Sequence, residues 1–446
     1  MGIRLDWEIE AEREHLKNTG EDPESVRARR RVQLRFLFFV GFVLLVFGGI
    51  IGALALRLRH VDWEVEQLLR DTVDAEVATL RIGDRNAFLS FQRSATDEWT
   101  RRQESLFERY QALKVEADVN MTGQILDVAV DGMRARVLLQ EIIDGVPYGR
   151  VWFYWRYEDG WRHVPPDYTF WGEPRTLENG SVTVRYRTFD EEFATTVATR
   201  LSEWVQTACE ALTCADLPVI TVEVVPDEVI QTGWVENDPS RLMLPSPYTR
   251  DARLDMLFDP ATQLTLAGLL AERLLAQASG GMEPVPTADA AFIRESVRSW
   301  LVGKFIGIET NTYLLDSIET NHGSAAVGRL LQALQPDSSI AVLNGITGSL
   351  DQANLDWRDY LTWRLRQENE RISARDEAGF LALYDVSDES VRALAIQRFN
   401  SVPGERSVVS VLQQPGTLRT LVQIAETGET EEVVFRLVDG VWKRAS

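Results

Sequence analysis

Residues able to do chemistry are sparse in this 446-residue chain, which holds four His and two Cys. A hydrolytic zinc site needs two imidazoles one helical turn apart, facing one metal, with a Glu between them as base for the bound water. No His lies between His163 and His322, so that whole stretch lacks such a pair. No G-x-S-x-G elbow, Walker loop or dinucleotide fingerprint occurs either. Asp-Glu pairs are abundant, but 68 acidic residues against 47 basic ones give a formal charge of −21; such pairs read as solvated surface rather than acid/base machinery. The same charge argues against nucleic acid or an anionic lipid surface as the main partner. His163 reads as a hydrogen-bonded structural residue at a strand end, and His322 as part of a turn-like segment. Cys209 and Cys214, in CEALTC, are too few for a disulfide scaffold or a multi-thiolate zinc site. A local disulfide at a helix end is favoured over two buried free thiols. The reading is therefore of no catalytic residue, no metal ligand and no cofactor.

The elements that carry these residues begin with a membrane segment. Residues 36–56, FLFFVGFVLLVFGGIIGALAL, hold no charge and as a helix would cross roughly 30 Å of hydrocarbon. Arg27, Arg29, Arg30, Arg31 and Arg35 precede it, against Arg57, Arg59 and Arg70 after it, which predicts a cytoplasmic N-terminus and an extracytoplasmic body. Residues 1–35 form the tail; its first 24 are acidic and read as flexible. A hydrophobic share of 45% and the length suggest about three folded units beyond the span.

In residues 61–174, Val61, Val65, Leu68, Leu69, Val73, Val77 and Leu80 recur at helical spacing, followed by helices near Asn86–Phe91 and Thr96–Leu113. Strands are predicted at Met121–Val130, Met133–Ile142, Tyr148–Tyr157 and Trp161–Val164, punctuated by Asp-Gly turns. Helices followed by a curled sheet make an α+β cone. The stretch GRVWFYWRYEDGWRHV resembles the last hairpin of the NTF2-like superfamily, which implies a cone with a pocket and supplies no reaction. The aromatic residues of this unit, Trp152 to Trp171, read as packing in preference to a ligand cavity.

In residues 176–366, a strand (Ser181–Tyr186) leads to a helix with Thr188 and Glu191 at capping-box spacing. Strands at Pro218–Val225 and Arg241–Leu244 follow; Asp259-Pro260 then opens the apolar helix TQLTLAGLLAERLLAQ, and another runs from Asp289 to Phe305. This order resembles the gluzincin-like, peptidase MA-like domains of membrane-anchored proteins, whose apolar helix carries His-Glu-x-x-His and whose next helix supplies a Glu as third zinc ligand. Against that pattern Gly268 stands for the first His, Leu269 for the base, Glu272 for the second His and Glu295 for the third ligand. The resemblance thus implies a degenerate motif, with Glu272 and Glu295 pairing with Arg273, Arg294 or Arg298 instead of a metal.

Residues 368–446 close with VVFRLVDGVWKRA, a repeat of the form seen at Trp152–Val164, and read as a second, smaller NTF2-like unit. The expected fold class is α+β multidomain with one N-terminal transmembrane helix. The expected function is a non-catalytic, pseudopeptidase binding or scaffolding module for a peptide, glycan or protein partner outside the membrane. A hydrolase with an unusual site, metal-dependent or cone-based, and a plain spacer are the alternatives.

Overall fold

The computed structural model describes residues 23–214 and 218–446. The expectations for residues 1–22 lie outside the described residues. The chain is a mixed helix and sheet multidomain protein with one apolar N-terminal helix, and it divides into two compact units.

The first unit takes residues 1–112 with the segments 128–135 and 154–164. Its first helix, α1 (Pro23–Ile82), is 60 residues long. The apolar span and the amphipathic stretch after it form one helix, because no Pro or Gly falls between Ala53 and Ile82 to interrupt helical hydrogen bonding. Residues 23–35 of the expected tail also belong to this helix. The window Phe36–Ala53 is long and apolar enough to cross a membrane, and none of it is buried. Further along, Leu69, Val73, Val77 and Leu80 turn a four-and-three stripe inward. Gly83, in the left-handed region at φ 81°, lets the chain leave α1. Asp84 then caps α2 (Arg85–Ser90) through the Ala87 amide, and Phe88 anchors that helix in the core. Helix α3 (Asp97–Glu116) buries Trp99, Phe107 and Tyr110.

Four strands follow in sequence: β1 (Val119–Asp131), β2 (Arg134–Ile143), β3 (Val146–Tyr157) and β4 (Gly160–Val164). Their sheet has the order β1-β2-β3-β10, with β4 on β3 and β10 at Ala252–Arg253. The β2–β3 turn places Asp144 and Gly145 both at positive φ, the primed geometry that matches strand twist.

The second unit contains the remainder of the chain. Its other sheet runs β5-β6-β7-β9-β8, from β5 (Pro174–Asn179), β6 (Val182–Arg187), β7 (Ile220–Val225), β8 (Gly233–Val235) and β9 (Asp238–Pro245). The central β6, β7 and β9 are parallel, while the edges β5 and β8 are antiparallel. Helix α4 (Glu191–Leu212) makes the crossover between β6 and β7 and packs on β5 and β6. The capping box expected from Thr188 and Glu191 does not form: Thr188–Asp190 is a 3-10 turn and Asp190 is the cap residue without a capping bond. Its carboxylate is taken by tertiary partners instead. Helices α5 (Pro260–Ala278) and α6 (Asp289–Ile306) pack on one another and on α4. Asp259 accepts from the Ala261 and Thr262 amides at the start of α5, with Pro260 in the first turn. After α7 (Tyr313–His322), helix α8 (Ala325–Ala333) lies against the end of α4 so closely that a Cβ on Gly328 would meet the Ala211 carbonyl at 2.8 Å. A disulfide joins Cys209 to Cys214 there, with Cα atoms 4.9 Å apart.

A short helix, α9 (Asn344–Thr347), precedes α10 (Arg358–Ala374), which runs across the boundary expected between residues 366 and 368. Then come α11 (Glu377–Leu381), α12 (Glu389–Phe399) and the antiparallel meander β11 (Arg406–Gln414), β12 (Thr417–Ile424), β13 (Thr430–Val438) and β14 (Val441–Arg444). Three helices and four strands thus occur twice in the same order. One interval relates the helical parts without a gap: Leu69 to Leu361, Glu76 to Glu368, Asp84 to Asp376, Phe88 to Phe380 and Phe107 to Phe399. Gly83 and Arg375 also correspond, both at positive φ, and Asp376 caps α11 as Asp84 caps α2.

Candidate functional site

Gly268, Leu269 and Glu272 lie on α5 and Glu295 on α6, and these two helices pack on one another. Gly268 leaves room for Arg298 of α6, whose Nη1 would lie 3.7 Å from a Cβ placed on Gly268. Leu269 offers its backbone carbonyl to Trp234 of the edge strand β8, whose indole N–H donates at 3.2 Å. Glu272 accepts from Arg294 at 2.6 Å, and Glu295 accepts from Arg298 at 2.5 Å. Arg298 also feels the Glu272 charge, and its acidic neighbours, Glu295 first, hold its pKa above the ordinary arginine value. Of the two carboxylates, Glu295 is the more exposed, at 61%. This surface presents two carboxylates, each paired with a guanidinium, beside an indole. Among the described residues, no three His, Cys, Asp or Glu side chains converge as a metal site. His322 is the last residue of α7 rather than part of a turn, because the helix continues until Gly323 at φ 80° ends it.

Two buried carboxylates, Glu76 and Glu368, were not singled out in the sequence. Glu76, on the inner stripe of α1, is fully buried. It accepts from Tyr154 Oη at 2.9 Å, from Gln92 Nε2 at 2.7 Å and from His163 Nδ1 at 2.7 Å. The His163 ring stacks on Tyr154 and meets Trp99 edge-on. Burial, then the Glu76 charge, pushes the Tyr154 phenol well above its usual range, so it remains a neutral donor. All three of Glu76, Tyr154 and His163 are at most 4% exposed. A His-Glu pair of this kind resembles acid/base machinery in composition, but a sealed pair cannot reach a substrate.

Glu368 repeats the arrangement on α10. It lies 3.2 Å from Arg444 Nη1, which stands where His163 stands in the first copy, two residues after a buried Trp. Tyr384 corresponds to Gln92, and each pairs with the last strand through a lone parallel bridge. A glutamate inside an apolar stripe (Val73, Glu76, Val77, Leu80; Leu365, Glu368, Ile372) is the signal that could have found both.

Asp190 forms a third buried carboxylate site. It accepts from Trp171 Nε1 at 2.8 Å and Ser246 Oγ at 2.5 Å, and burial pushes its pKa up to about 6. Nearby rings (Phe153, Trp171, Phe189 and Tyr248) pack on one another. A cavity of about 640 Å³ opens over the start of α5, lined by Pro247, Thr249, Arg250, Arg253, Asp259 and Thr262 among others.

No family model matches the chain, and no curated protein matches it. Among solved structures, a two-domain M1 zinc metallopeptidase mutant bound to L-arginine is similar at 13% identity with a TM-score of 0.20. An M1 zinc metallopeptidase mutant from Deinococcus radiodurans, bound to a Tyr-Ser-Ala substrate, is similar at 12% with a TM-score of 0.19. Each match covers 52% of this chain and 58% of the other. At such scores neither fold nor function carries over.

Proposed function

We propose that this is a single-pass, membrane-anchored extracytoplasmic protein whose peptidase-like helix pair has become a binding or scaffolding module without metal chemistry. The N-terminus is cytoplasmic on this reading. The body, two NTF2-like units flanking the helix pair, engages a peptide, glycan or protein partner outside the membrane. The observation that carries it is the closure of the α5–α6 surface: Arg298 against Gly268, Trp234 on the Leu269 carbonyl and Arg294 on Glu272. Arg294 and Arg298 neutralise the carboxylates of Glu272 and Glu295, and restoring a gluzincin-like ligand set requires replacing Gly268, Leu269 and Glu272.

The test is zinc content and peptide cleavage of the purified full chain, beside a variant carrying Gly268→His, Leu269→Glu and Glu272→His. Zinc held by the variant, with Glu295 as third protein ligand, and none held by the parent supports the reading. Stoichiometric zinc in the parent, or turnover of peptides by it, refutes the loss of metal chemistry. A variant that folds and still takes up no zinc refutes the correspondence with the gluzincin-like motif.

A further inference from the structure

The cavity over the start of α5 is lined by Leu244 and Pro245, at the carboxyl end of β9, and by Pro260, Ala261, Thr262 and Thr265 of α5. Every residue around it belongs to the second unit, and none of Gly268, Leu269, Glu272 and Glu295 lines it. At about 640 Å³ it falls within the range of small-molecule sites, roughly 300–1,000 Å³. The carboxyl end of a parallel strand is also where open sheets with helical crossovers take their ligands. Five hydroxyl-bearing side chains line it: Tyr148, Thr232, Thr249, Thr262 and Thr265. Three have their protons committed, Thr249 to the Ser246 carbonyl at 2.8 Å, Thr262 to Asp259 at 2.8 Å and Thr265 to the Ala261 carbonyl at 2.9 Å. A hydroxyl that has donated keeps two lone pairs, so these three can only accept. Tyr148 and Thr232 have no hydrogen-bond partner among the described residues, so both can donate as well as accept. The four charged residues, Arg250, Arg253, Asp251 and Asp259, sum to zero. Arg253 is held by Asp255 at 2.7 Å, and Asp259 by the Ala261 and Thr262 amides.

We propose that this cavity binds a neutral pyranose ring, as the end or a branch of a glycan. The ring's hydroxyls supply the protons that the three threonines lack, and its oxygens accept from Tyr148, Thr232 and Arg250. Its C–H faces suit the apolar part of the lining, Leu244, Pro245, Pro247 and Leu257. An ionic ligand finds no net charge to pair with. An extended peptide binds along an unpaired strand edge, whereas β9 is flanked by β7 and β8, and β10 has only two residues. This site rests on the partner-binding reading above, with the glycan selected among its candidates, but not on the loss of metal chemistry. A chain that holds zinc and still binds a sugar refutes that loss alone.

The experiment is saturation-transfer NMR on the full chain in a detergent without a sugar headgroup. The probes are the methyl glycosides of glucose, galactose, mannose and N-acetylglucosamine, beside glucuronic acid and trialanine. Saturable transfer to at least one neutral glycoside is expected. Its binding should be about three- to tenfold weaker in Tyr148→Phe and in Thr232→Val, each of which removes one hydrogen bond. Neither hydroxyl has an internal partner, so both variants should melt at the parent's temperature; should one melt lower, the other decides. No saturable transfer to any neutral glycoside, or equal binding by the variants, would overturn the proposal. Glucuronic acid or trialanine bound as tightly as the best glycoside would overturn it too, the latter by assigning the cavity to a peptide.

Discussion

Replacing Glu76 by Gln removes the negative charge from a fully buried position that accepts from Tyr154, Gln92 and His163. The amide keeps the shape, but its nitrogen can only donate, so at least one of the three donors loses its acceptor and faces another donor. A buried group left unsatisfied costs about 1–3 kcal/mol, and bonds to a charged acceptor weaken as well. The sum is a local loss of about 2–4 kcal/mol, or about 30- to 700-fold in an opening equilibrium. Hydrogen exchange followed by mass spectrometry reads this directly, because the His163 amide donates to the Phe91 carbonyl at 2.9 Å and reports on the same cluster. Peptides covering residues 154–164 should exchange faster by that factor in Glu76→Gln. Peptides covering 361–399, which carry the second copy, should not change. Acceleration below about threefold, equivalent to roughly 0.7 kcal/mol, would refute the assignment of Glu76 as the anchor of this unit.

Contrasting ion pairs should respond differently to loss of one partner. Arg294→Gln leaves Glu272, which is 46% exposed, and should cost less than about 1 kcal/mol in denaturant unfolding. Arg444→Met strands Glu368 at 3% exposure and should cost about 3–5 kcal/mol by the same measurement. Asp359 accepts from the Leu314 and Tyr360 amides, and burial pushes its pKa up to about 7. It therefore binds a proton more readily folded than unfolded, so its contribution to stability rises as pH falls through 7 toward its unfolded value near 4. Asp359→Asn should remove about 3 kcal/mol of the change in unfolding free energy between pH 8 and pH 5. A wild-type and mutant difference that is flat with pH would contradict this. Alkylation should modify Cys209 and Cys214 only after reduction, and Cys209→Ser with Cys214→Ser should lower stability by no more than about 2 kcal/mol, given so short a loop.

Local signals were the legible ones. Asp259-Pro260 announces α5 because cap and first-turn residue act within one turn, and the Asp-Gly pairs place the β2–β3 and β13–β14 turns because those two residue types adopt positive φ at little cost. The Thr188 capping box failed because Asp190, two residues on, had stronger claims from Trp171 and Ser246, both distant in sequence. The short edge strand β5 carries no alternating pattern, since four of its six residues are exposed and two intermediate. The carboxylates that organise each copy, Glu76 and Glu368, look in sequence like ordinary polar interruptions of an apolar stripe. Their meaning comes from Tyr154, His163 and Arg444, which the chain delivers only after it folds.

The unbroken run of α1 has a mechanical consequence. Between Ala53, where the apolar window ends, and Leu69, the first fully buried residue, the helix continues for about 24 Å without a joint. With the window in a bilayer, tilt or rotation of this segment is delivered to the first unit as tilt or rotation, as through an axle. Inserting one residue in this stretch would swing the core of the first unit by about 100° around the axis, and inserting four would bring it nearly back into phase.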